Sequence, residues 1–186
     1  HGSRFVVGSQ GVEYALVRHW QDAGHLTPMD PPKSIGRAEK MVVVSGSVSP
    51  TTAEQIAWSK ENGFAGIAFD ASVVCDDATV LGYEMDRVID AALEAIAQGL
   101  DPLIHTAEGP DDPAVNRFRA AVAESEHDMS AANQMTGEAL GRILYRVLER
   151  SGARRAVVSG GDTSGHATRQ LGIFALSALA PTIPAA

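Results

Sequence analysis

Short apolar runs alternate with amphipathic segments along this chain. Five runs have the composition of strands: Phe5–Val7, Met41–Ser45, Gly66–Asp70, Pro102–Thr106 and Ala156–Ser159. Most of their positions are apolar, with little alternation between apolar and polar residues. That pattern is typical of strands in a parallel sheet that is covered on both faces.

Six other segments repeat apolar residues at the period of a helix. They span Val12–Ala23, Thr52–Asn62, Tyr83–Gln98, Ala114–Glu124, Gly137–Arg150 and about Ser164 to Leu179. Two stretches, Thr27–Lys40 and Glu124–Gln134, predict loops. Strands that alternate with helices form βαβ units. The sequence therefore predicts an α/β fold, in which three α/β/α layers surround a mostly parallel, Rossmann-like sheet of about five or more strands.

Composition and charge narrow the class of protein. The chain has 186 residues, which is enough for one domain with a sizeable core. Its net charge of −8, without a basic stripe, argues against a nucleic-acid partner. No apolar stretch approaches the roughly 20 residues of a membrane span. Cys75 is the single cysteine, so an internal disulfide is excluded and a cytoplasmic location is expected.

Three of the apolar runs end in turns rich in glycine and serine: FVVGSQG at 5–11, VVVSGSVSP at 42–50 and VVSGGDTSG at 157–165. In a parallel sheet such turns emerge at one edge, where ligands bind. A helix that follows the turn presents unpaired N–H groups and a partial positive charge, and glycine lets the backbone approach a ligand. The three turns together predict a site for phosphate or a nucleotide.

The same residue types also suit an ordinary turn. Gly, Ser, Thr and Asp are common N-caps, so Asp162, Thr163 or Ser164 could simply cap the last helix. Neither a P-loop nor a G-x-G-x-x-G motif occurs. Asp70 lies 24 residues after Gly46, faintly like the ribose-binding acid of a dinucleotide fold. Without the glycine motif, a role in capping or at the sheet edge is the simpler interpretation of Asp70.

Three segments, taken in order, resemble the C-terminal nucleotide-binding domain of the four-carbon acid sugar kinase family. They are FVVGSQGVEYAL, VVVSGSVSPTTAEQI and VVSGGDTSG. The resemblance runs from about Phe5 to Pro184, and GGDTSG before an apolar helix is its most specific part. It implies an ATP-dependent kinase, a phosphotransferase whose substrate is a four-carbon acid sugar of the threonate, erythronate or oxo-tetronate type.

The resemblance also implies which residues bind the nucleotide, ATP or ADP with Mg²⁺. These are Gly46, Ser47, Ser49, Gly160, Gly161, Asp162, Thr163 and Ser164, with Gly8 and Ser9 in the turn similar to the family's entry into the domain. Asp162 is the first candidate for a metal ligand, because Mg²⁺ on phosphates needs only one or two carboxylates. His105 and His166 are further candidates for contact with the ligand.

Two departures from the family limit what this chain is expected to do. The D-D-x-T-G motif of the family's substrate domain does not occur, and the chain stops at IPAA where the family continues into a K-x-G-x-x-G segment. Residues 4–186 are therefore expected to be the C-terminal half of a two-domain kinase, truncated at its tail. The absent N-terminal domain would hold most of the sugar acid and the catalytic base, so this half is expected to be inactive alone.

Other interpretations stay open at the level of the sequence. A non-enzymatic regulatory domain could use the same turns to bind a nucleotide or phosphate. An NAD-dependent oxidoreductase domain would prefer NAD to ATP, and a purely structural domain would bind neither. The sequence also leaves open whether the chain forms a homo-oligomer.

Overall fold

A computed structural model of the chain describes residues 5–8, 10–27 and 36–177. The described residues fall into two compact units, one containing residues 5–8 and 10–27 and the other containing residues 36–177. In the first unit, helix α1 covers Gln10–Asp22. The strand predicted at Phe5–Val7 is wrong, since no strand is present there and the three side chains are 61–98% exposed. A short apolar run does not by itself determine whether the segment joins a sheet.

The second unit contains the remaining described strands and helices. In chain order they are β1 (Met41–Ser45), α2 (Pro50–Glu61), β2 (Phe64–Ala68), a 3₁₀ helix (Ala71–Cys75), α3 (Ala78–Ala97), β3 (Asp101–His105), α4 (Pro113–Glu124), α5 (Met129–Ser151), β4 (Arg155–Ser159) and α6 (Gly161–Gln170). The strands form one parallel sheet in the order β2-β3-β1-β4. The α/β class and the parallel sheet are confirmed, but the described residues supply four strands rather than five or more.

The register of the sheet brings the ends of all its strands to one edge. Ser45 of β1 lies between Ser159 of β4 and His105 of β3, and His105 in turn lies beside Ala68 of β2. The chain leaves every strand at this carboxyl edge. Open α/β sheets bind their ligands in the crevice at this edge.

The main hydrophobic core lies between the sheet and helices α3 and α5. Its fully buried members include Val42, Val44 and Ile104 from the sheet, Val88 and Ile89 from α3, and Leu140, Ile143, Leu144 and Val147 from α5. Ile67 joins this core, whereas its neighbour Gly66 faces Lys60 of α2 on the opposite side of the sheet. Helices therefore cover both faces of the sheet.

Helix α6 is held close to α5 by small residues. A Cβ at Gly141 of α5 would lie 2.8 Å from the Cα of Ala167, and one at Gly137 would lie 2.8 Å from the Cβ of His166. Ala167 itself is fully buried. Because α5 is anchored in the core, this close packing also determines where the first turn of α6 lies.

Two helices begin more than a full turn earlier than their apolar period predicts. Helix α5 starts at Met129, so part of the predicted loop Glu124–Gln134 is helical, and α3 starts at Ala78 rather than Tyr83. In both cases an aspartate N-cap accepts hydrogen bonds from the first turn, and that turn is mostly exposed. An exposed first turn carries no apolar period, so only the cap marks its start.

Helix α6 is shorter than its prediction. It ends at Gln170, and residues 173–177 are not helical. Gly172 follows with φ of 69°, the left-handed conformation that commonly terminates a helix. Within the described part of the chain, every helix is too short or too polar to cross a membrane.

Candidate functional site

A cavity of about 380 Å³ lies at the carboxyl edge of the sheet. Its walls come from the segments that follow all four strands and from helices α4 and α5. Six of the residues expected at a nucleotide site line it together: Gly46, Ser47, Gly160, Gly161, Asp162 and Thr163. The turns after β1 and β4 are far apart in the sequence, and the pairing of these two strands makes them neighbours.

These two turns are joined by a backbone hydrogen bond and by a close side-chain fit. The N–H of Gly46 donates to the carbonyl of Ser159 at 3.1 Å. Thr163 is 8% exposed, and a Cβ at Gly46 would overlap its hydroxyl oxygen. Glycine is therefore required at position 46 because the first turn of α6 leaves no space for a side chain.

The two adjacent glycines after β4 have different roles. Gly160 has φ of 115° and ψ of 132°, a conformation that residues with a side chain rarely adopt. Gly161 has no positive φ, and a Cβ there would meet no atom within 4 Å. The backbone conformation requires glycine at position 160. At position 161 the absence of a side chain leaves backbone atoms exposed at the wall of the cavity.

Helix α6 begins without a side-chain cap. Helices α2 to α5 have Ser49, Asp77, Asp112 and Asp128 as N-caps, each accepting a hydrogen bond from a backbone N–H. At α6 the N-cap is Gly160, and no side chain caps the helix. Asp162, Thr163 and Ser164 lie inside the helix, so the interpretation of these three residues as N-caps is wrong.

The missing cap leaves the first turn of α6 available to an external anion. The N–H groups of Gly161, Asp162 and Thr163 have no acceptor within residues 36–177. The N-terminus of a helix also carries a partial positive charge. Together these features favour a phosphate or carboxylate at this end of the cavity.

The capped helices show what an acceptor does at such a position. The backbone N–H groups of Ala114 and Glu108 donate to Asp112 and hold the pKa of its carboxyl below the ordinary value. The N–H groups of Val80 and Thr79 lower the pKa of Asp77 in the same way. At α6 no side chain of the described residues accepts a hydrogen bond in this way.

The serines after β1 form a hydroxyl cluster at the start of α2. Thr52, which is 6% exposed, lies 2.8 Å from the hydroxyl of Ser47 and 2.9 Å from that of Ser49. Ser49 also accepts from the N–H of Thr52 at 3.1 Å, as the N-cap of α2. Ser47 lines the cavity, whereas Ser49 is exposed outside its lining and caps α2.

The other expected site residues lie elsewhere. Ser164 donates its hydroxyl to the carbonyl of Gly160 at 2.6 Å and does not line the cavity. Gly8 belongs to the first unit, where a Cβ would overlap Val12. Ser9 lies outside the described residues. A role for Gly8 and Ser9 in binding stays a prediction.

Asp162 is the acidic residue of the cavity wall. It is exposed on the first turn of α6 and also lines a neighbouring cavity of about 410 Å³ with His166. Within residues 5–8, 10–27 and 36–177, no three His, Cys, Asp or Glu side chains cluster as ligands for a metal ion. Any metal held here would therefore depend on a single protein carboxylate together with ligand oxygens and water.

The two candidate histidines differ in position. His105 is 3% exposed, does not line the cavity, and has its Nε2 3.6 Å from a carboxylate oxygen of Glu108. Burial lowers the pKa of His105, and the carboxylate of Glu108 opposes that change. His166 lines the neighbouring cavity, and its buried Nδ1 has no hydrogen-bond partner in the described part of the chain.

Two further residues singled out by the sequence have structural roles. Asp70 caps the 3₁₀ helix, accepting from the N–H of Ser72 at 3.1 Å, which is one of the two roles expected for it. Cys75 is half-buried and packs against the hydrophobic core.

Sequence reasoning missed the contribution of helix α4. Val115, Phe118 and Arg119 line the cavity, and Arg119 is exposed with no ion pair to any described residue. Helical spacing indicates that Val115 and Arg119 share a face, since they are four positions apart. The sequence does not show that this face lies beside the glycine turns.

Comparisons with known proteins match the chain to a family model and to two kinases. The family model described as a nucleotide-binding C-terminal domain matches residues 42–186. The chain is 37% identical over 182 residues to 3-oxo-isoapionate kinase from Paraburkholderia graminis, and 28% identical over 185 residues to 3-oxo-tetronate kinase from Cupriavidus necator. These alignments cover 98% and 97% of the chain but only 38% and 39% of the two relatives.

A solved structure also shares the fold. It is a Salmonella typhimurium LT2 protein, provisionally named a tRNA synthase, with a TM-score of 0.56 and 24% sequence identity. The match covers 89% of this chain and 35% of that protein. At this level of identity the likeness supports the fold alone.

Proposed function

This chain belongs to the family of nucleotide-binding C-terminal domains of four-carbon acid sugar kinases, and from that membership we propose that it binds ATP for such a kinase. The observation that carries the proposal is the uncapped first turn of α6, which faces a cavity between two glycine turns. A kinase must position the phosphates of its bound nucleotide and neutralise their charge. An uncapped helix N-terminus helps to position the phosphates and also to neutralise their charge.

The phosphates of ATP lie between the turns after β1 and β4. Backbone N–H groups of Gly161 and its neighbours donate to them, and Ser47 adds a hydroxyl from the facing turn. Arg119 is the cation among the residues that line the cavity, and it supplies a full positive charge from α4. The absence of a side chain at Gly161 allows the phosphate oxygens to approach the backbone.

Asp162 is the proposed protein ligand of Mg²⁺. Its carboxylate is exposed at the cavity wall, and Mg²⁺ in nucleotide sites commonly takes one or two carboxylates besides phosphate oxygens and water. When bound, the metal would neutralise charge on the phosphates. Without the metal, the carboxylate of Asp162 would instead repel the phosphates of the nucleotide.

Asp162→Asn should therefore weaken the binding of Mg-ADP. The same change should strengthen the binding of metal-free ADP or leave it unchanged.

The sugar-acid substrate lies mainly outside this chain in the proposal. The chain spans about two fifths of the length of the kinases it matches, and one of them is named for 3-oxo-tetronate, the other for 3-oxo-isoapionate. We propose a substrate of the same class, a four-carbon acid sugar, held by a separate domain that also supplies the base. The chain alone is then expected to bind ATP without transferring its phosphate.

Calorimetric titration tests the nucleotide part of the proposal. The chain is titrated with ATP, ADP, NAD and inorganic tripolyphosphate, each with and without Mg²⁺, and a melting curve is recorded for each ligand. ATP and ADP should bind, and at a hundredfold excess over Kd should stabilise the fold by about 2.7 kcal/mol. Preference for NAD, or no response to ATP and ADP, would contradict the proposal.

The phosphotransferase part is tested separately. The chain is joined to the remaining portion of 3-oxo-isoapionate kinase, and ADP release is measured with 3-oxo-isoapionate and with 3-oxo-tetronate. Turnover of one of these acids by the chimera but not by the isolated chain is the expected result. A chimera that binds ATP yet phosphorylates neither acid would argue against the proposed role of this chain in a sugar-acid kinase.

A further inference from the structure

We propose that the nucleobase of the bound nucleotide lies at the β2–β3 end of the cavity, against Val115 and Phe118 of α4. The phosphates then lie at the opposite end, between the turns after β1 and β4. This inference rests on the proposed function, because it assigns a direction to the nucleotide within the same cavity. It is carried by the strand order and by the different chemistry of the two ends.

The strand order separates the two ends of the cavity. Ala71 follows β2 and Ala107 follows β3, whereas the glycine turns follow β1 and β4. Since the order is β2-β3-β1-β4, the alanines and the glycine turns lie on different halves of the sheet edge. Neighbouring strands are about 4.8 Å apart, so the outermost strands are separated by about 14 Å. An extended nucleotide can therefore span both halves.

Helix α4 lies beside the segment that follows β2. It packs chiefly on the 3₁₀ helix that follows β2, and only slightly on α5. Val115 and Phe118 are three positions apart, so they share one face of α4, and both line the cavity. Phe118 is half-buried and also packs against the hydrophobic core, which holds its ring in place.

The two ends suit different parts of a nucleotide. The end at β1 and β4 offers unpaired N–H groups and the hydroxyl of Ser47. The end at β2 and β3 is mostly apolar, with Thr106 as its polar residue beside Ala71, Ala107, Val115 and Phe118. A phosphate placed against this carbon wall would lose its hydration without gaining donors. A purine is flat and apolar on its faces, and bases stack favourably on aromatic rings.

Arg119 is compatible with this direction. It follows Phe118 on α4 and lines the same cavity. An arginine side chain can lay its apolar stem along a hydrophobic surface while its guanidinium reaches a polar group beyond. Arg119 can therefore contact the phosphates from the apolar end of the cavity, even though no phosphate lies against Phe118.

Comparing two ligands separates the nucleobase from the phosphates. The dissociation constants of ADP and inorganic tripolyphosphate are measured by calorimetry for the unsubstituted chain and for Phe118→Ala. Loss of one stacking partner should weaken ADP at least about fivefold and leave tripolyphosphate within about twofold. Trp58→Ala is the matched control, because Trp58 is an aromatic residue of α2 that is 63% exposed and does not line the cavity. It should change neither constant.

A second variant keeps the test valid if Phe118→Ala does not fold. Val115 is half-buried, and Val115→Asn places an uncharged polar group in the same wall, so it should also weaken ADP selectively. An equal loss of both ligands, or unchanged ADP binding in a folded variant, would overturn the inference. If the unsubstituted chain binds neither ligand, the proposed function itself fails. If tripolyphosphate binds as tightly as ATP, which carries the same three phosphates, phosphate binding is retained but the nucleobase subsite is refuted.

Discussion

The hydroxyl of Thr163 occupies the space in which a side chain at Gly46 would lie. Thr163 is 8% exposed, so its side chain has little room to move away. The turn after β1 and the first turn of α6 therefore fit together only when residue 46 is glycine. Since these two turns form the polar end of the cavity, this fit determines the spacing of the proposed phosphate site.

Replacing Gly46 should lower stability as well as disturb the site. Gly46→Ala forces a methyl group against Thr163 and should reduce the free energy of unfolding by about 1–3 kcal/mol in urea denaturation. Gly82→Ala is the matched control, because Gly82 lies within α3 with no atom near its Cβ position. That change should raise the free energy of unfolding by about 0.5–1 kcal/mol.

A double-mutant cycle identifies Thr163 as the cause. Thr163→Ala removes the hydroxyl that a Cβ at Gly46 would meet. The double variant should be less destabilised than the sum of the two single variants by at least about 0.5 kcal/mol. Strict additivity would mean that the loss in Gly46→Ala has another origin.

Replacing Gly161 should abolish nucleotide binding without unfolding the chain. Position 161 lacks a positive φ and has open space around it, so Gly161→Val should change the free energy of unfolding by no more than about 0.5 kcal/mol. Its side chain would occupy the space proposed for a phosphate. Gly165→Val is the control, since Gly165 lies one turn further along α6, has equally open space and does not line the cavity. Normal ADP binding by Gly161→Val would remove the turn after β4 from the site.

Replacing Arg119 should weaken every phosphate ligand by a similar factor. A hydrogen bond from a charged group contributes about 1.5–3 kcal/mol, so Arg119→Ala should lower the affinity for ADP and tripolyphosphate about tenfold or more. Arg119→Lys should restore part of the loss, because it retains the charge without the planar guanidinium. Arg117→Ala on the same helix is the control, as Arg117 does not line the cavity. If Arg117→Ala lowers the affinity for both ligands as much as Arg119→Ala does, the loss arises from the change in net charge and not from a contact in the cavity.

The stability of the chain should fall on mild acidification because of His105. Burial lowers the pKa of His105, so the imidazole is neutral in the folded chain. An unfolded histidine takes up a proton below about pH 6.5. Between that pH and the lower folded pKa, the unfolded state binds more protons, and the free energy of unfolding falls as the pH falls.

Urea denaturation between pH 7 and pH 5 measures this dependence. The contribution of His105 to the slope is at most about 1.4 kcal/mol per pH unit. His105→Gln should flatten the slope whatever its effect on absolute stability. His127→Gln is the control, at a histidine that is exposed. Equal slopes in the two variants would show that the dependence arises from other groups.

The sequence by itself determined the class of fold and the identity of the turns. Met41–Ser45 was predicted with the bounds that β1 has, because a β-branched run between polar segments specifies a strand locally. The adjacent glycines at 160 and 161 indicated a backbone conformation that other residues rarely adopt, and Gly160 has φ of 115°. The resemblance to the kinase family rested on the same local residues and is confirmed by the match over residues 42–186. All of these features depend on residues close together in the chain.

Only the tertiary structure decided which residues share the cavity. The strand order places β1 beside β4 and brings Gly46 against Thr163, although more than a hundred residues separate them. The packing of α4 adds Phe118 and Arg119 to the cavity, whereas Ser49 caps α2 and does not line it. Periodicity and turn chemistry report the neighbours of a residue along the chain. Which strands pair, and which face of a helix lies over their ends, depends on packing between distant segments.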